Sequence, residues 1–405
     1  MSQSKFQETG NVKEEKLLLR DWLLLPVLSL LTIFVLAGSI EAIARLIYPQ
    51  YGVRAEECIV FNDPSTGSRG IPNSVCTGKS AEGELTEYHF NSSGFRADED
   101  FGPKQPGTYR IVMIGTSFVF GEWVPREKTF AALLPLELSR RTGLKVELYN
   151  EAMGFRLPDT LALHFNEVLK AKPDLVLWPV VTGDLKTQAQ VKEDTPTHDV
   201  ALHRSLPVKA WYRIKDAFAN KSLRSAIYEI FKHTRSATLL SQVMYRSKSQ
   251  YIKSSIMDTD YEVGYLKANP SPDWQKRLDD FSRNDALIEA QARAAGVPLV
   301  VVLLPNHALS AMIASGEWPA GYDPYKLDDE LRSIVTSHGG TYIDMLADLR
   351  TVSDPDQGYF PFEGHPNARG HAIFSGLLAN ELVSGPVPAL NTTYKSSTIS
   401  TERGK

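Results

Sequence analysis

The segment 110–121, RIVMIGTSFVFG, constrains the fold of this chain more than any other. Residues 111–114 are all apolar, which is typical of a β-strand covered on both faces, as in a parallel sheet. Gly115 ends this run, and Thr116 and Ser117 then place hydroxyl groups where the strand ends. Because ligands of open α/β sheets bind at the carboxyl ends of the strands, Ser117 is the leading candidate for a nucleophile.

Strands and helices alternate through most of the chain. The patterns predict strands at 110–115, 145–150, 174–181, 298–304 and 341–344, and helices near 127–142, 157–171, 273–295, 325–338 and 368–382. Such alternation predicts a parallel sheet with helices on both faces. The expected fold class is therefore α/β, a three-layer α/β/α, flavodoxin-like sandwich with a five-stranded parallel sheet, in a main domain that spans 109–383.

An apolar run near the N-terminus is long enough to cross a bilayer. Residues 22–40 match the ~20 residues that span the hydrocarbon core, and the pattern continues to residue 48. We predict a single transmembrane helix over 22–48. The tail of residues 1–21 is expected to be cytoplasmic, because Lys and Arg next to a transmembrane helix favour the cytoplasmic side. The main domain would then be extracytoplasmic, either periplasmic or extracellular. A cleaved signal peptide is the alternative, since residues 37–39, AGS, are small.

Residues 50–108 are rich in turn formers and predict an extracytoplasmic linker region with short strands. The two cysteines of the chain, Cys58 and Cys76, both lie in this region. We expect them to form a disulfide if the region is outside the cytosol, where such a bridge contributes on the order of 3 kcal/mol. Two free thiols are the alternative.

Residues 184–270 interrupt the strand and helix alternation. Between residues 204 and 253 there are eleven Lys or Arg and two acids, and the apolar residues among them predict amphipathic helices. This basic helical insertion is either a solvated cap or a surface that contacts an anionic polymer or lipid. The predicted transmembrane helix favours the interpretation as a contact surface. The net charge of -4 gives no reason to expect nucleic acid as a partner. Residues 384–405 are rich in Ser and Thr and predict a disordered tail.

A serine nucleophile needs a general base that is itself held in one tautomer. His365 lies in a loop before the last predicted helix, where a parallel sheet brings it to the same edge as Ser117. Glu363, two residues earlier, supplies a carboxylate for the imidazole. Ser117, His365 and Glu363 therefore form a candidate catalytic triad, although His365 taken alone could be a surface histidine. Asn367 is expected to cap the last helix, and His371 to be a packing or capping residue.

At these residues the chain resembles the SGNH, or GDSL-like, hydrolases, and in particular their membrane-anchored members linked to envelope polysaccharides. Residues 115–118, GTSF, are similar to the family's Gly-Asp-Ser-Phe, and residues 363–371, EGHPNARGH, resemble its last signature. The resemblance covers about residues 91–382. It implies the flavodoxin-like SGNH-hydrolase fold, no cofactor, and hydrolysis or transfer of an acyl ester through an acyl-serine.

The resemblance also implies how a tetrahedral oxyanion is held. In the family the donors are the N–H of the serine, a glycine N–H after the second strand and an asparagine side chain after the third. Ser117 and Gly154 match the first two donors, but Gly183 stands where the asparagine is expected. Loss of one such donor typically costs ~10²- to 10³-fold in rate. Thr182 and Asn306 are the candidate substitutes.

Two functional hypotheses follow. The first is a membrane-anchored serine esterase or O-acyltransferase that acts on acyl esters, above all acetyl esters, of a cell-envelope carbohydrate. The second is a catalytically weak or inactive SGNH-like protein that binds or scaffolds envelope components. The sequence has no Gly-x-Ser-x-Gly elbow, which argues against the α/β-hydrolase arrangement. The glycines around Ser117 lack the Gly-Lys-Ser/Thr of a phosphate-binding loop, and no His-Glu-x-x-His or paired Cys site indicates a metal, so we expect neither a metal nor a cofactor.

Overall fold

One long helix precedes the globular part of the chain. The structure, a computed structural model, describes residues 19–47, 58–190, 234–257 and 263–391, except residues 65, 81, 155, 189 and 362. Helix α1 (Leu19–Ile47) contains the segment Leu24–Ile47, which is long and apolar enough to cross a membrane by length and composition. Both membrane anchors and signal sequences have this character. Most of the predicted cytoplasmic tail lies outside the described residues.

Two β-hairpins follow α1. Strand β1 (Ile59–Asp63) pairs antiparallel with β2 (Gly67–Gly70), and β3 (Val75–Gly78) pairs antiparallel with β4 (Thr86–His89). A disulfide between Cys58 and Cys76 joins the start of the first hairpin to the second, with the two Cα atoms 6.3 Å apart. Tyr88 is fully buried in the same hydrophobic core as the central sheet. The segment that the sequence predicts as a linker region with short strands therefore packs on the main domain.

The centre of the molecule is a five-stranded parallel sheet. Its strands are β5 (Thr108–Met113), β6 (Lys145–Asn150), β7 (Leu175–Val180), β8 (Leu299–Leu303) and β9 (Thr341–Ile343). They lie in the order β6-β5-β7-β8-β9, and every neighbouring pair is parallel. This is the 2-1-3-4-5 order of flavodoxin-like sheets. The second strand lies on one side of the first strand, and the later strands lie on the other side. The predicted fold class is confirmed, with strand bounds close to those predicted.

Helices cover both faces of the sheet. Every residue of its central strands β7 and β8 is therefore buried. Among the described residues, the α-helices after α1 are α2 (Ser117–Phe120), α3 (Phe130–Thr142), α4 (Pro158–Leu169), α5 (Arg235–Met244), α6 (Lys248–Met257), α7 (Pro272–Ala294), α8 (His307–Ser315), α9 (Lys326–Ser337), α10 (Leu346–Leu349) and α11 (Ala368–Ser384). Helices α3 and α11 pack together, and α7 packs against both α4 and α9. Helix α8, which the sequence prediction omits, also packs at the carboxyl edge, against α6.

The predicted basic insertion is described only in part. Its described helices are α5, which packs against α1, and α6, which packs against α8. The basic residues between positions 204 and 232 lie outside the described residues. Most of the predicted C-terminal tail, from residue 392, also lies outside them. The expectation of an anionic partner at this insertion therefore stays a prediction.

A buried guanidinium joins the hairpin segment to the residues that follow Ser117. Arg96 is almost completely buried, and its Nη1 donates to the carbonyl oxygens of Phe120 and Gly121 at 3.0 and 2.6 Å. Its Nη2 donates to the carbonyl oxygen of Val124 at 2.7 Å. The guanidinium carbon also lies 4.4 Å from the centre of the Tyr88 ring. Arg96 thus holds the end of α2, because it donates to three backbone carbonyl groups, of which the Gly121 carbonyl also accepts the Val124 N–H at 3.3 Å.

Replacement of Arg96 by methionine should destabilise the fold, because the carbonyls of Phe120, Gly121 and Val124 all lose the guanidinium donor. Among the described residues, only the Gly121 carbonyl keeps another donor, the Val124 N–H. The side-chain volume is nearly kept. We expect the free energy of unfolding to fall by about 3 kcal/mol, measured by denaturant unfolding of the detergent-solubilised chain. Arg140→Met is the control, since Arg140 is exposed and pairs with Glu137 on the surface. Equal effects of the two substitutions would contradict this account.

Candidate active site

A glycine turn places Ser117 at the carboxyl edge of the sheet, as the first residue of α2. Gly115 has φ +147°, and a Cβ atom there would lie 2.6 Å from Val119 Cγ2 and 3.1 Å from the Pro179 carbonyl oxygen. Only glycine permits this close approach of the turn to β7. At the other end of α2, the Gly121 N–H donates to the Ser117 carbonyl oxygen at 3.0 Å.

Ser117, His365 and Glu363 are joined in one hydrogen-bonded chain. His365 Nε2 lies 2.8 Å from Ser117 Oγ, and Nδ1 lies 2.7 and 2.9 Å from the two carboxylate oxygens of Glu363. Glu363 Oε2 also accepts the backbone N–H of His365 at 3.0 Å. An ionised Glu363 requires the proton on Nδ1, so Nε2 presents its lone pair to the Ser117 hydroxyl. This is the tautomer that a general base for Ser117 requires.

Residues distant in sequence hold Glu363 in place. The indole Nε1–H of Trp123 donates to Glu363 Oε1 at 2.8 Å, and the backbone N–H of Glu363 donates to Glu82 Oε2 at 2.9 Å. Trp123 has φ +65°, which is unusual for a bulky residue, and its backbone N–H donates to the Tyr88 hydroxyl at 2.8 Å. The hairpin segment, through Glu82 and Tyr88, therefore orients the carboxylate that orients His365.

A second carboxylate lies on the serine side of the imidazole. Glu122 Oε2 is 3.6 Å from His365 Nε2, and the backbone N–H of Glu122 donates to the Ser117 carbonyl oxygen at 3.2 Å. Burial by itself would lower the pKa of His365, but Glu363 and then Glu122 raise that pKa above its ordinary value. Burial would likewise raise the pKa of Glu363, but the charge of His365 and hydrogen bonds from His365 and Trp123 lower it. Glu363 is therefore ionised at neutral pH.

Gly154 lies in the turn after β6, next to the serine turn. The N–H of Met153 donates to the Gly115 carbonyl oxygen at 3.1 Å, and the Ser68 hydroxyl donates to the Gly154 carbonyl oxygen at 3.2 Å. Within the part of the chain that the structure describes, neither the Ser117 N–H nor the Gly154 N–H forms a hydrogen bond. The oxyanion role of both N–H groups stays a prediction.

The candidate substitute donors Thr182 and Asn306 are buried and contact each other. Asn306 Nδ2 donates to Thr182 Oγ1 at 3.4 Å, while Asn306 Oδ1 caps α8 by accepting the Leu309 N–H at 2.9 Å. Gly183 is exposed, and a Cβ atom built there meets no atom of the described chain within 4 Å. The position where the family resemblance expects asparagine therefore has room for a side chain.

A buried carboxylate that the sequence analysis did not single out connects the two turns. Thr116 Oγ1 donates to Asp184 Oδ1 at 2.5 Å, and the Val181 N–H donates to Asp184 Oδ2 at 3.0 Å. Burial raises the pKa of Asp184 to about 7. Asp184 links the residue before Ser117 to the turn that contains Gly183. In the sequence, only its position next to Gly183 could have indicated that it belongs to the site.

The last helix supports the loop that contains His365. Asn367 caps α11 by accepting the N–H groups of Arg369 and Gly370, as predicted. His371 is fully buried, and its Nδ1 accepts the Phe130 N–H at 3.2 Å. Burial lowers the pKa of His371 to about 3, so it is a neutral packing residue. Among the residues that the structure describes, no group of three or more His, Cys, Asp or Glu could hold a metal ion.

No protein-family model and no curated protein matches this chain. Similar solved structures include TesA, which is 12% identical, covers 70% of this chain and 98% of its own, and has a TM-score of 0.35. Another is a mutant of Axe2, an acetyl-xylooligosaccharide esterase from Geobacillus Stearmophilus, with 11% identity, coverage of 67% of this chain and 93% of its own, and a TM-score of 0.36. A GDSL-like lipase from Bacteroides thetaiotaomicron has 12% identity, coverage of 67% and 86%, and a TM-score of 0.31. These values establish no activity for this chain.

Replacement of Glu122 by glutamine should lower the pKa of His365, because it removes a negative charge that stabilises the imidazolium. We expect the pKa of His365 to decrease, measured by NMR titration of the His365 ring in the full chain. Glu127→Gln is the matched control, since it removes a carboxylate from the neighbouring turn Arg126–Lys128. An unchanged or higher pKa in Glu122→Gln would show that Glu122 does not act on the imidazole.

Proposed function

We propose that this protein is an SGNH-type serine esterase or O-acyltransferase that acts on acyl esters, above all acetyl esters, of a cell-envelope carbohydrate. The observation that carries the proposal is the hydrogen-bonded chain from Ser117 through His365 to Glu363, with contacts of 2.8 and 2.7 Å at the carboxyl edge of the sheet. A hydroxyl, an imidazole in the matching tautomer and an orienting carboxylate are the groups that acyl transfer through serine requires.

In the proposed mechanism, Ser117 Oγ attacks the acyl carbon while His365 Nε2 takes the hydroxyl proton. Glu363 stabilises the resulting imidazolium, and the N–H groups of Ser117 and Gly154 hold the oxyanion. His365 then returns the proton to the departing carbohydrate oxygen, which leaves an acyl-serine. Water or a second hydroxyl, deprotonated in turn by His365, releases the acyl group and regenerates Ser117.

The charge around the site supports a substrate that is not anionic. Glu363 contacts one side of the imidazole, Glu122 lies near the other, and Glu82 binds the backbone of Glu363. Acidic groups this close to the attacked atom would repel a phosphodiester or a charged acyl group. A neutral acyl group on a polyhydroxylated acceptor does not meet this repulsion.

The proposed location is a single-pass membrane anchor with the main domain outside the cytoplasm. Helix α1 supplies a segment of suitable length and hydropathy. The disulfide between Cys58 and Cys76 favours an oxidising compartment, either the periplasm or the extracellular space. This location supports an envelope carbohydrate as the source of the ester.

One observation favours the second hypothesis, an inactive SGNH-like binding or scaffolding protein. Gly183 offers no side-chain donor, which leaves two proposed donors for the oxyanion, the N–H groups of Ser117 and Gly154. A fluorophosphonate probe discriminates the two hypotheses, because it requires an activated serine. Formation of an adduct on Ser117 supports the enzyme, whereas an unmodified Ser117 supports the binding protein.

The Ser117→Ala variant should lose ester hydrolysis, because no other group of the chain is proposed to form the acyl intermediate. We expect kcat/KM for 4-nitrophenyl acetate to fall by at least about 10³-fold. Ser333→Ala, which alters an exposed serine of α9, should keep wild-type activity. If Ser117→Ala hydrolyses the ester at the wild-type rate, the proposed mechanism is wrong.

The Gly183→Asn variant should increase the rate, because it places an amide donor at the position where the family resemblance expects one. A gain of at least about tenfold in kcat is expected, a fraction of the ~10²- to 10³-fold that such a donor is worth. Gly102→Asn is the control, since a Cβ atom at Gly102 also meets nothing within 4 Å. Unchanged or reduced kcat in Gly183→Asn would remove Gly183 from the account of the oxyanion site.

A further inference from the structure

Helix α5 is attached to the membrane-length helix α1 through one carboxylate. The backbone N–H of Arg235 donates to Glu41 Oε1 at 3.1 Å. The N–H and the hydroxyl of Ser236 donate to Glu41 Oε2 at 3.0 and 2.9 Å. Ala44, one turn beyond Glu41, is fully buried, and α1 packs against α5. Glu41 therefore caps the first turn of α5 and fixes where that helix begins relative to α1.

The depth of Glu41 along α1 sets the level at which α5 begins. Residue 22 opens the apolar run, and at 1.5 Å per residue Glu41 lies about 28 Å further along the helix. The hydrocarbon core of a bilayer is ~30 Å thick. If α1 spans the membrane, Glu41 lies at the boundary between hydrocarbon and headgroups, and α5 begins in that same plane.

Helix α5 presents apolar side chains to its surroundings. Leu240, Val243 and Met244 are 57%, 65% and 44% exposed, respectively. Their spacing of three and four residues places them on one face of the helix. The exposed basic residues Arg246 and Lys253 follow on the next segment. An apolar face with nearby cationic groups is the composition of helices that lie in a membrane interface.

The next helix attaches α5 to the edge of the sheet where Ser117 lies. Lys248 Nζ of α6 is 2.8 Å from Asp354 Oδ1, and the Tyr251 ring stacks on His307 with centroids 3.7 Å apart. His307 is the first residue of α8 and follows Asn306 at the carboxyl end of β8. The pair α5 and α6 thus bridges the membrane-length helix and the candidate active site.

We propose that α5 lies on the outer surface of the lipid bilayer, with Leu240, Val243 and Met244 inserted among the headgroups and upper acyl chains. This inference rests on the membrane anchoring given under Proposed function. Glu41 attaches α5 to α1 at the level of the bilayer boundary. The bilayer is therefore the proposed partner of the apolar face, rather than a second protein. The bilayer contact holds the Ser117 site at the membrane surface.

Photolabelling of the full chain in nanodiscs tests this placement directly. The nanodiscs contain phosphatidylcholine, phosphatidylglycerol and a phospholipid with a diazirine in its acyl chain. Trypsin releases α5 as peptide 236–246, most of the membrane segment as 21–45, and an internal control as 157–170. The control contains Leu163, which is 75% exposed on α4. We expect lipid label on 21–45 and 236–246, with 157–170 at background.

A variant with Leu240→Gln, Val243→Gln and Met244→Gln should lose the label on 236–246 to the level of 157–170 while keeping it on 21–45. Label on 21–45 with none on 236–246 in the wild-type chain would overturn the placement of α5. Absence of label from 21–45 would instead overturn the membrane anchoring. Hydrolysis of 4-nitrophenyl acetate, measured on the same nanodiscs, reports separately on the proposed function.

Discussion

A 2.8 Å contact between Ser117 Oγ and His365 Nε2 joins residues that are 248 positions apart, and much of the fold serves to maintain it. The parallel sheet brings the ends of β5 and the last loop to one edge. Gly115 lets the serine turn approach β7, and Asn367 ends the histidine loop by capping α11. The contact depends on every one of these elements, because a shift of about 1 Å would separate the two groups.

The hairpin segment before the sheet is part of this support. Arg96 binds carbonyl oxygens at the end of α2, and Tyr88 holds the backbone of Trp123. Trp123 and Glu82 then bind the side chain and the backbone of Glu363. The orientation of the imidazole is thus set from two directions, by its own loop and by a segment more than 240 residues earlier.

The sequence predicted most of the regular structure and the central residues of the site, for identifiable reasons. Continuous apolar runs mark β5, β7 and β8, which are covered on both faces, and helical periodicity marks α4 and α9, which are covered on one. Helix α8 was missed because His307 to Ile313 are all buried, so its sequence has no polar face to reveal a period. Ser117, Glu363 and His365 could be proposed as a triad because each lies near a strand end or a helix start, and the structure places their side chains in contact.

The supporting residues carried no such local signal. Trp123 acts through a left-handed backbone and a tertiary hydrogen bond, neither of which a pattern of residue types reveals. Glu122 lies five residues after Ser117 and Asp184 two residues after Thr182, but only the folded chain brings their carboxylates near His365 and Thr116. The membrane-facing role proposed for α5 likewise depends on its contact with Glu41, which is 194 residues from Arg235.

The most direct test of the central claim is detection of the acyl-serine itself. The full chain is mixed with 4-nitrophenyl acetate, quenched in acid within the first turnovers and digested with trypsin. The account predicts an acetyl group on Ser117 in peptide 111–126, and its absence from the same peptide of the His365→Ala variant. Ester hydrolysis with no acetyl group on Ser117, or with the acetyl group on another residue, would contradict it.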